Sequence, residues 1–273
     1  MKHGQPPEPR WLPWLREQVA LGADMGAAVD ALRKAGVADT AIGSALETLR
    51  PQGSALAAGK LQLPPLIRRG SPNLRKFESP SLTLYQYDDF LKPKDCERLI
   101  ALIGHHLQPS MLSRDGYDSD FRTSQTCLLA HLRSPVAVAL DEKICKTLGL
   151  RAAYGEGIQA QRYEAGQQFK PHYDWFPPGS DEYRRFAELR GNRTWTFMVY
   201  LNDGMEGGGT RFTELDHTVR PKTGMALLWN NLHDDGSPNP AARHSGEPVI
   251  SGHKIIITKW FRLGGDGPVF SES

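Results

Sequence analysis

The chain has 273 residues, a formal net charge of +2 and an apolar content of 39%. So weak a charge argues against a nucleic-acid or membrane-surface partner. No apolar run reaches the length of a spanning helix, and the N-terminal stretch lacks the continuous apolar segment of a secretory signal. The three cysteines, Cys96, Cys127 and Cys145, have no CxxC spacing and read as reduced, buried thiols of a cytoplasmic protein.

Residues 10–50 carry a helical pattern. Trp11, Leu12, Trp14, Leu15 and Val19 recur near helical spacing, the run Ala27–Ala35 stops at Gly36, and Asp39 is placed to cap a third helix that ends before Pro51. This N-terminal region is expected to be either a small bundle, with some likeness to ubiquitin-associated three-helix modules, or a helical extension packed on the main domain. In the second case Trp11 and Trp14 would anchor it. Residues 51–80 are rich in Pro, Gly and Ser and read as a linker. Their basic cluster, Arg68, Arg69, Arg75 and Lys76, reads as a solvated face. The main domain, 81–273, opens with a strand near Leu82–Tyr87, followed by helices over Lys94–Leu107 and Pro135–Leu148. After Gly157 come short apolar runs broken by Gly, Pro, Asn and Asp: Ile158–Tyr163, Thr194–Leu201, Thr210–Phe212, Met225–Trp229 and Lys254–Phe261. Closely spaced strands of this kind predict a sandwich or jelly roll, hence an α+β protein with a jelly-roll core. The polar stretch between Phe176 and Gly191 is long enough to be a lid, or a plain surface excursion.

The chemistry concentrates in His172-Tyr173-Asp174, answered about seventy residues later by His244 and then Lys254. Period-two alternation puts His172 and Asp174 on one side of an extended segment. Two histidines and a carboxylate on one face of a metal, with the other positions open, are the donor set of non-haem Fe(II) oxygenases. Lys254 is a basic residue suited to the far carboxylate of a bound keto-diacid.

The surrounding sequence resembles the prolyl 4-hydroxylase family of Fe(II)/2-oxoglutarate-dependent dioxygenases. Gln159–Asp174 is similar to its metal-binding stretch, Gly191–Leu201 to the strand that follows, and Gly207-Gly208-Gly209-Thr210 to its glycine turn. Pro221–Ala226, Trp229–Leu232 and Arg243–Lys254 continue the likeness, and Arg122-Thr123-Ser124 resembles an early loop. The likeness spans residues 82–263 and implies a double-stranded β-helix, cupin-like core. It also implies Fe(II) held by His172, Asp174 and His244, with 2-oxoglutarate and O2 as co-substrates and ascorbate as a reductant. Lys254, Tyr163 and Thr210 would bind 2-oxoglutarate; Arg193 and Trp260 would line the substrate side. The expected reaction is hydroxylation of an unactivated C–H, in a prolyl residue of a protein or peptide, with a free amino acid or small metabolite as the alternative. A non-catalytic binding or sensing module on the same fold is the alternative from another class, and the N-terminal helices are a candidate contact for a protein partner. The pattern departs from the family at Phe169, Gly209 and Glu247, none of them in the triad.

Overall fold

The computed structural model describes residues 8–110 and 120–271. The reading of the leader falls partly on residues 1–7, outside them.

Three helices open the chain: α1 (Leu12–Leu21), α2 (Met25–Lys34) and α3 (Asp39–Thr48). Gly22 closes α1 in the left-handed conformation, at φ 74°, where a residue without a Cβ has no steric cost. The Asp24 carboxylate caps α2 by accepting from Ala27 N. The expected cap at Asp39 is instead the first residue of α3, and its side chain pairs with Arg33 at 2.8 Å. Leu15, Ala28, Leu32, Ile42 and Ala45 form a core of their own, against which Trp11 packs, while Trp14 is exposed.

The stretch 51–80 is not a free linker. Gly53–Ser54 pairs with Gly264–Gly265. Ala55, Leu61 and Leu66 enter the main core, and Leu74–Phe77 is the edge strand beside Leu84–Tyr87. Its Pro and Gly residues mark turns between short elements, which composition alone could not separate from disorder. The body therefore begins near residue 51 rather than 81. The basic cluster is exposed as expected, with Arg75 paired to Asp88 at 2.8 Å.

Two antiparallel sheets make that body. The eight-stranded sheet runs Leu74–Phe77, Leu84–Tyr87, Ala226–Asn230, Arg193–Tyr200, His253–Arg262, Gln159–Glu164, Gln125–Leu128, Gln108–Pro109. The four-stranded sheet runs His217–Val219, Thr210–Phe212, His244–Gly246, Phe169–His172. This is the jelly roll expected. Helices Pro93–Gly104 and Pro135–Leu148 cover the outer face of the large sheet, where Trp195, Phe197, Val199, Ile255, Ile257 and Phe261 join Leu99, Ile103, Leu140 and Ile144. The residues between these, Met198, Tyr200 and Ile256, face the small sheet with Phe212, Val219 and Trp229. Both faces are covered, so the central strands read as unbroken apolar runs although their side chains alternate between two cores.

Candidate active site

Alternation along the central strands also builds a cavity. Lys254, Ile256, Thr258 and Trp260 share one face of their strand, and all four line it, together with Gln161 and Tyr163 from the adjacent strand. From the small sheet come Phe169, His172, Thr210 and His244. The cavity thus lies between the two sheets.

The strands Phe169–His172 and His244–Gly246 pair so that His172 stands opposite His244, which brings together residues far apart in sequence. His172 Nε2 lies 4.0 Å from Asp174 Oδ1, and His244 Nε2 lies 3.9 Å from Asp174 Oδ2. One ligand atom from each of the three fits within 4.8 Å. The far nitrogens are fixed: His172 Nδ1 donates to Lys170 O at 2.8 Å and His244 Nδ1 to Ala242 O at 3.0 Å. Those bonds place the proton on Nδ1 and leave both Nε2 lone pairs for a metal. Burial pushes the His172 pKa down to about 3, helped by His244, so its imidazole is neutral at any working pH. Burial alone would raise the Asp174 pKa, but His244, His172, Arg193 and the Thr196 hydroxyl together hold it below its usual value. Two imidazole Nε2 atoms and an ionised carboxylate fit a divalent transition metal.

Lys254 is 1% exposed. Its ammonium donates to Gly208 O at 2.9 Å and sits 4.5 Å from the Tyr163 ring centroid. Among the described ion pairs none includes it, and burial lowers its pKa to about 8, with Glu247 pulling the other way. A buried ammonium without a counter-ion is costly, and an incoming carboxylate would supply one. The face of Tyr163 is turned to Lys254, and burial raises the pKa of its hydroxyl while Arg122 and Ser124 pull it the other way. The Thr210 hydroxyl accepts from Tyr200 Oη at 2.6 Å. Tyr163, Thr210 and Lys254 line one cavity.

The two expected substrate residues are placed differently. Trp260 lines the cavity, and its indole N–H has no acceptor among the described residues. Arg193 stands behind it, 3.9 Å over the indole ring, bonded to Glu156 at 2.6 and 2.8 Å and to Asp174 O at 3.3 Å. Arg193 thus braces the wall rather than forming its surface. Glu156 is 2% exposed and also holds Arg262 at 2.7 Å.

This buried network touches the N-terminal helices. A Cβ on Gly22 would lie 2.7 Å from Glu156 Oε2. Arg190 donates to Val19 O and Ala20 O at the end of α1 and to Gly155 O. The 176–191 stretch is a loop with a short helix, Asp181–Phe186, whose Arg185 is clamped by Asp24 (Nε–Oδ2 2.9 Å).

Sequence reasoning missed Arg122, Gln161, Thr258 and Thr196 as site residues. Arg122 lies 4.9 Å over the Phe169 ring and within reach of Ser124 and Thr126. Gln161 and Thr258 follow from the same strand parity as Tyr163 and Lys254, a signal present in the sequence. Thr196 donates to Asp174 Oδ2 at 2.6 Å, a contact no local pattern announces. Two departures from the family pattern meet in space: a Cβ on Gly209 would lie 2.8 Å from Glu247 Oε2. The Thr218 methyl, at 2.6 Å, and the Glu247 carboxylate together occupy the room that a side chain at 209 would need. The third, Phe169, stacks on His172 at 3.5 Å.

The 2OG-Fe(II) oxygenase superfamily matches over residues 158–262. Probable prolyl 4-hydroxylase 3 of Arabidopsis thaliana is 34% identical over 203 residues, 66% of this chain and 69% of that protein. Prolyl 4-hydroxylase 1 of the same plant is 35% identical over 64% of this chain and 66% of its own length. Among solved structures, a viral collagen prolyl hydroxylase from Paramecium Bursaria Chlorella virus-1, in its 2OG complex, superposes with a TM-score of 0.51. Its identity is 25%, over 66% of this chain and 95% of that one.

Proposed function

Since the chain belongs to the prolyl 4-hydroxylase family of Fe(II)/2-oxoglutarate-dependent dioxygenases, we propose that it hydroxylates a prolyl residue in a protein or peptide. The observation that carries this reading is one cavity with the His172, Asp174 and His244 donors at one end and an unpaired buried ammonium at the other. Fe(II), 2-oxoglutarate and O2 supply the chemistry: the keto acid loses CO2 to become succinate, one oxygen atom goes into it and the other into the C–H bond.

In this reading His172 Nε2, His244 Nε2 and the Asp174 carboxylate hold the metal. Lys254 donates to the distal carboxylate of 2-oxoglutarate, an ammonium point charge in a dry site, and the Thr210 hydroxyl and Tyr163 ring shape the place where that carboxylate lies. Trp260 offers a flat wall and a free N–H to the substrate, and Arg193 keeps the indole in place by stacking against it. The apolar residues of the two cores keep bulk water from the reacting C–H. Ascorbate is the proposed reductant for keeping the metal ferrous. The three free, buried cysteines suit the proposed cytoplasmic location. The N-terminal helices are proposed as a contact for the protein substrate while they dock on the catalytic body.

The test is incubation of the full chain with Fe(II), 2-oxoglutarate and proline-containing peptides, following succinate and the peptide mass. A peptide-stimulated rise in succinate, matched by gain of one oxygen atom at proline, is expected. Stimulation by free amino acids and by no peptide would overturn the peptidyl reading and leave the oxygenase class standing.

A further inference from the structure

We propose that Asn231 is a positioning residue for Asp174. Its side-chain amide dictates where the Thr196 hydroxyl proton points, and so which carboxylate oxygen is left free for a metal. This rests on the reading that Asp174 is a metal ligand.

The three side chains form a buried line. Asn231 Nδ2 donates to Thr196 Oγ1 at 2.8 Å, and Thr196 Oγ1 donates to Asp174 Oδ2 at 2.6 Å. Asn231 and Thr196 are both 0% exposed, and Asp174 is 6% exposed. A hydroxyl has one proton to give. An NH2 group can only donate, so it occupies a lone pair on Oγ1 and commits the single proton to Asp174. With the amide reversed, Oδ1 would take that proton, and Asp174 Oδ2 would face bare lone pairs at 2.6 Å. Nδ2, and not Oδ1, is therefore the amide atom that the ionised carboxylate and the short Thr196 contact require at Oγ1. The hydroxyl bond occupies Oδ2 from the side of the large sheet and leaves Oδ1, the oxygen nearer His172, the better metal donor.

The half-satisfied state of Asn231 points the same way. Its Oδ1 is buried with no partner among the described residues. An unpaired buried amide oxygen costs stability. The backbone of residue 231 is held without the side chain: its N–H donates to Thr194 O at 2.8 Å and its carbonyl accepts from Asn239 N at 3.0 Å. A leucine is close to asparagine in shape and would carry no unpaired oxygen there. What the amide does, and leucine cannot, is set the Thr196 proton.

The experiment uses the full chain and Co(II) as the probe, read by its visible absorption in the presence of 2-oxoglutarate and by titration for affinity. Outer hydrogen-bond partners of a metal ligand change affinity by about 10–100-fold. Thr196→Val is expected to weaken Co(II) binding about tenfold and to alter the band shape, with Thr196→Ser restoring both. Asn231→Leu is expected to weaken binding by less, with a thermal midpoint equal to or above the wild type. Asn231→Ala keeps the test alive if leucine is not tolerated. In the double variant with Thr196→Val, the residue 231 change should have no further effect, because Asn231 acts only through Thr196. An Asn231 variant with unchanged affinity and spectrum, or effects that simply add, would overturn the proposal. Wild-type Co(II) affinity in His244→Ala is a different failure: it would remove the metal site itself.

Discussion

The two ends of the cavity are built on opposite principles. At the metal end every donor is anchored from behind: both imidazoles to backbone carbonyls, Asp174 to Thr196. That end is finished before anything binds. At the other end Lys254 has one carbonyl partner and no counter-ion among the described residues, resting on a turn in which Gly207 and Gly208 have positive φ. That end is completed by its ligand. The difference teaches that losses at the metal end should remove binding outright, whereas losses at the anion end should change how much co-substrate is needed.

The most severe test of this contrast is His172→Ala or His244→Ala. Either should abolish metal binding at micromolar metal and stop succinate formation, since the described residues offer three ligands at this site; retained turnover would break the contrast at once. Next comes Lys254→Ala, which should raise the dissociation constant for 2-oxoglutarate by an amount corresponding to about 2–5 kcal/mol. Metal affinity should move by a few-fold at most, as calorimetric titration of each would show. Equal losses of both ligands would mean that the two ends are not separable.

A pH series sharpens the contrast. The Lys254 pKa is lowered by burial to about 8, so the ammonium is present below that pH and lost as pH rises through it. Affinity for 2-oxoglutarate should therefore fall above about pH 8. Glu247 raises the Lys254 pKa, so Glu247→Gln should move the fall to lower pH. A flat profile to pH 10 would show that the charge of Lys254 is not what binds. The smallest effect is expected far from both ends. Asp24→Ala removes the α2 cap and the Arg185 clamp. It should cost about 1 kcal/mol of stability and speed amide exchange in Asp181–Phe186, with both affinities intact. A drop in metal affinity would reveal coupling through Glu156 and Arg193.

What the sequence disclosed follows the same division. His172 and Asp174 were legible because their spacing is local, although the strand itself ends at His172; Lys254 was legible from its place after His244 and the resemblance of its flanks, and the long strands from their apolar runs. His244 became specific only through the resemblance of its flanks. The part played by 51–80 was hidden, because pairing of Gly53 with Gly265 is decided by tertiary contact and leaves no local periodicity. The bracing role of Arg193 was hidden for the same reason: Glu156 lies thirty-seven positions away and is an ordinary glutamate until the fold buries it. Gly209 and Glu247, departures thirty-eight positions apart in sequence, lie side by side in space, which the sequence could not show.

The strand His253–Arg262 lies between Arg193–Tyr200 and Gln159–Glu164, yet it is the last long strand of the chain. During synthesis both neighbours exist first, each with an open backbone edge where the missing strand belongs. Open apolar edges recruit other chains. The order of elements along the chain thus leaves the central sheet unfinished until its middle strand is made, and the nascent protein is most exposed to aggregation just before that strand leaves the ribosome. The same strand carries Lys254, so the sheet and the anion end of the cavity are completed together.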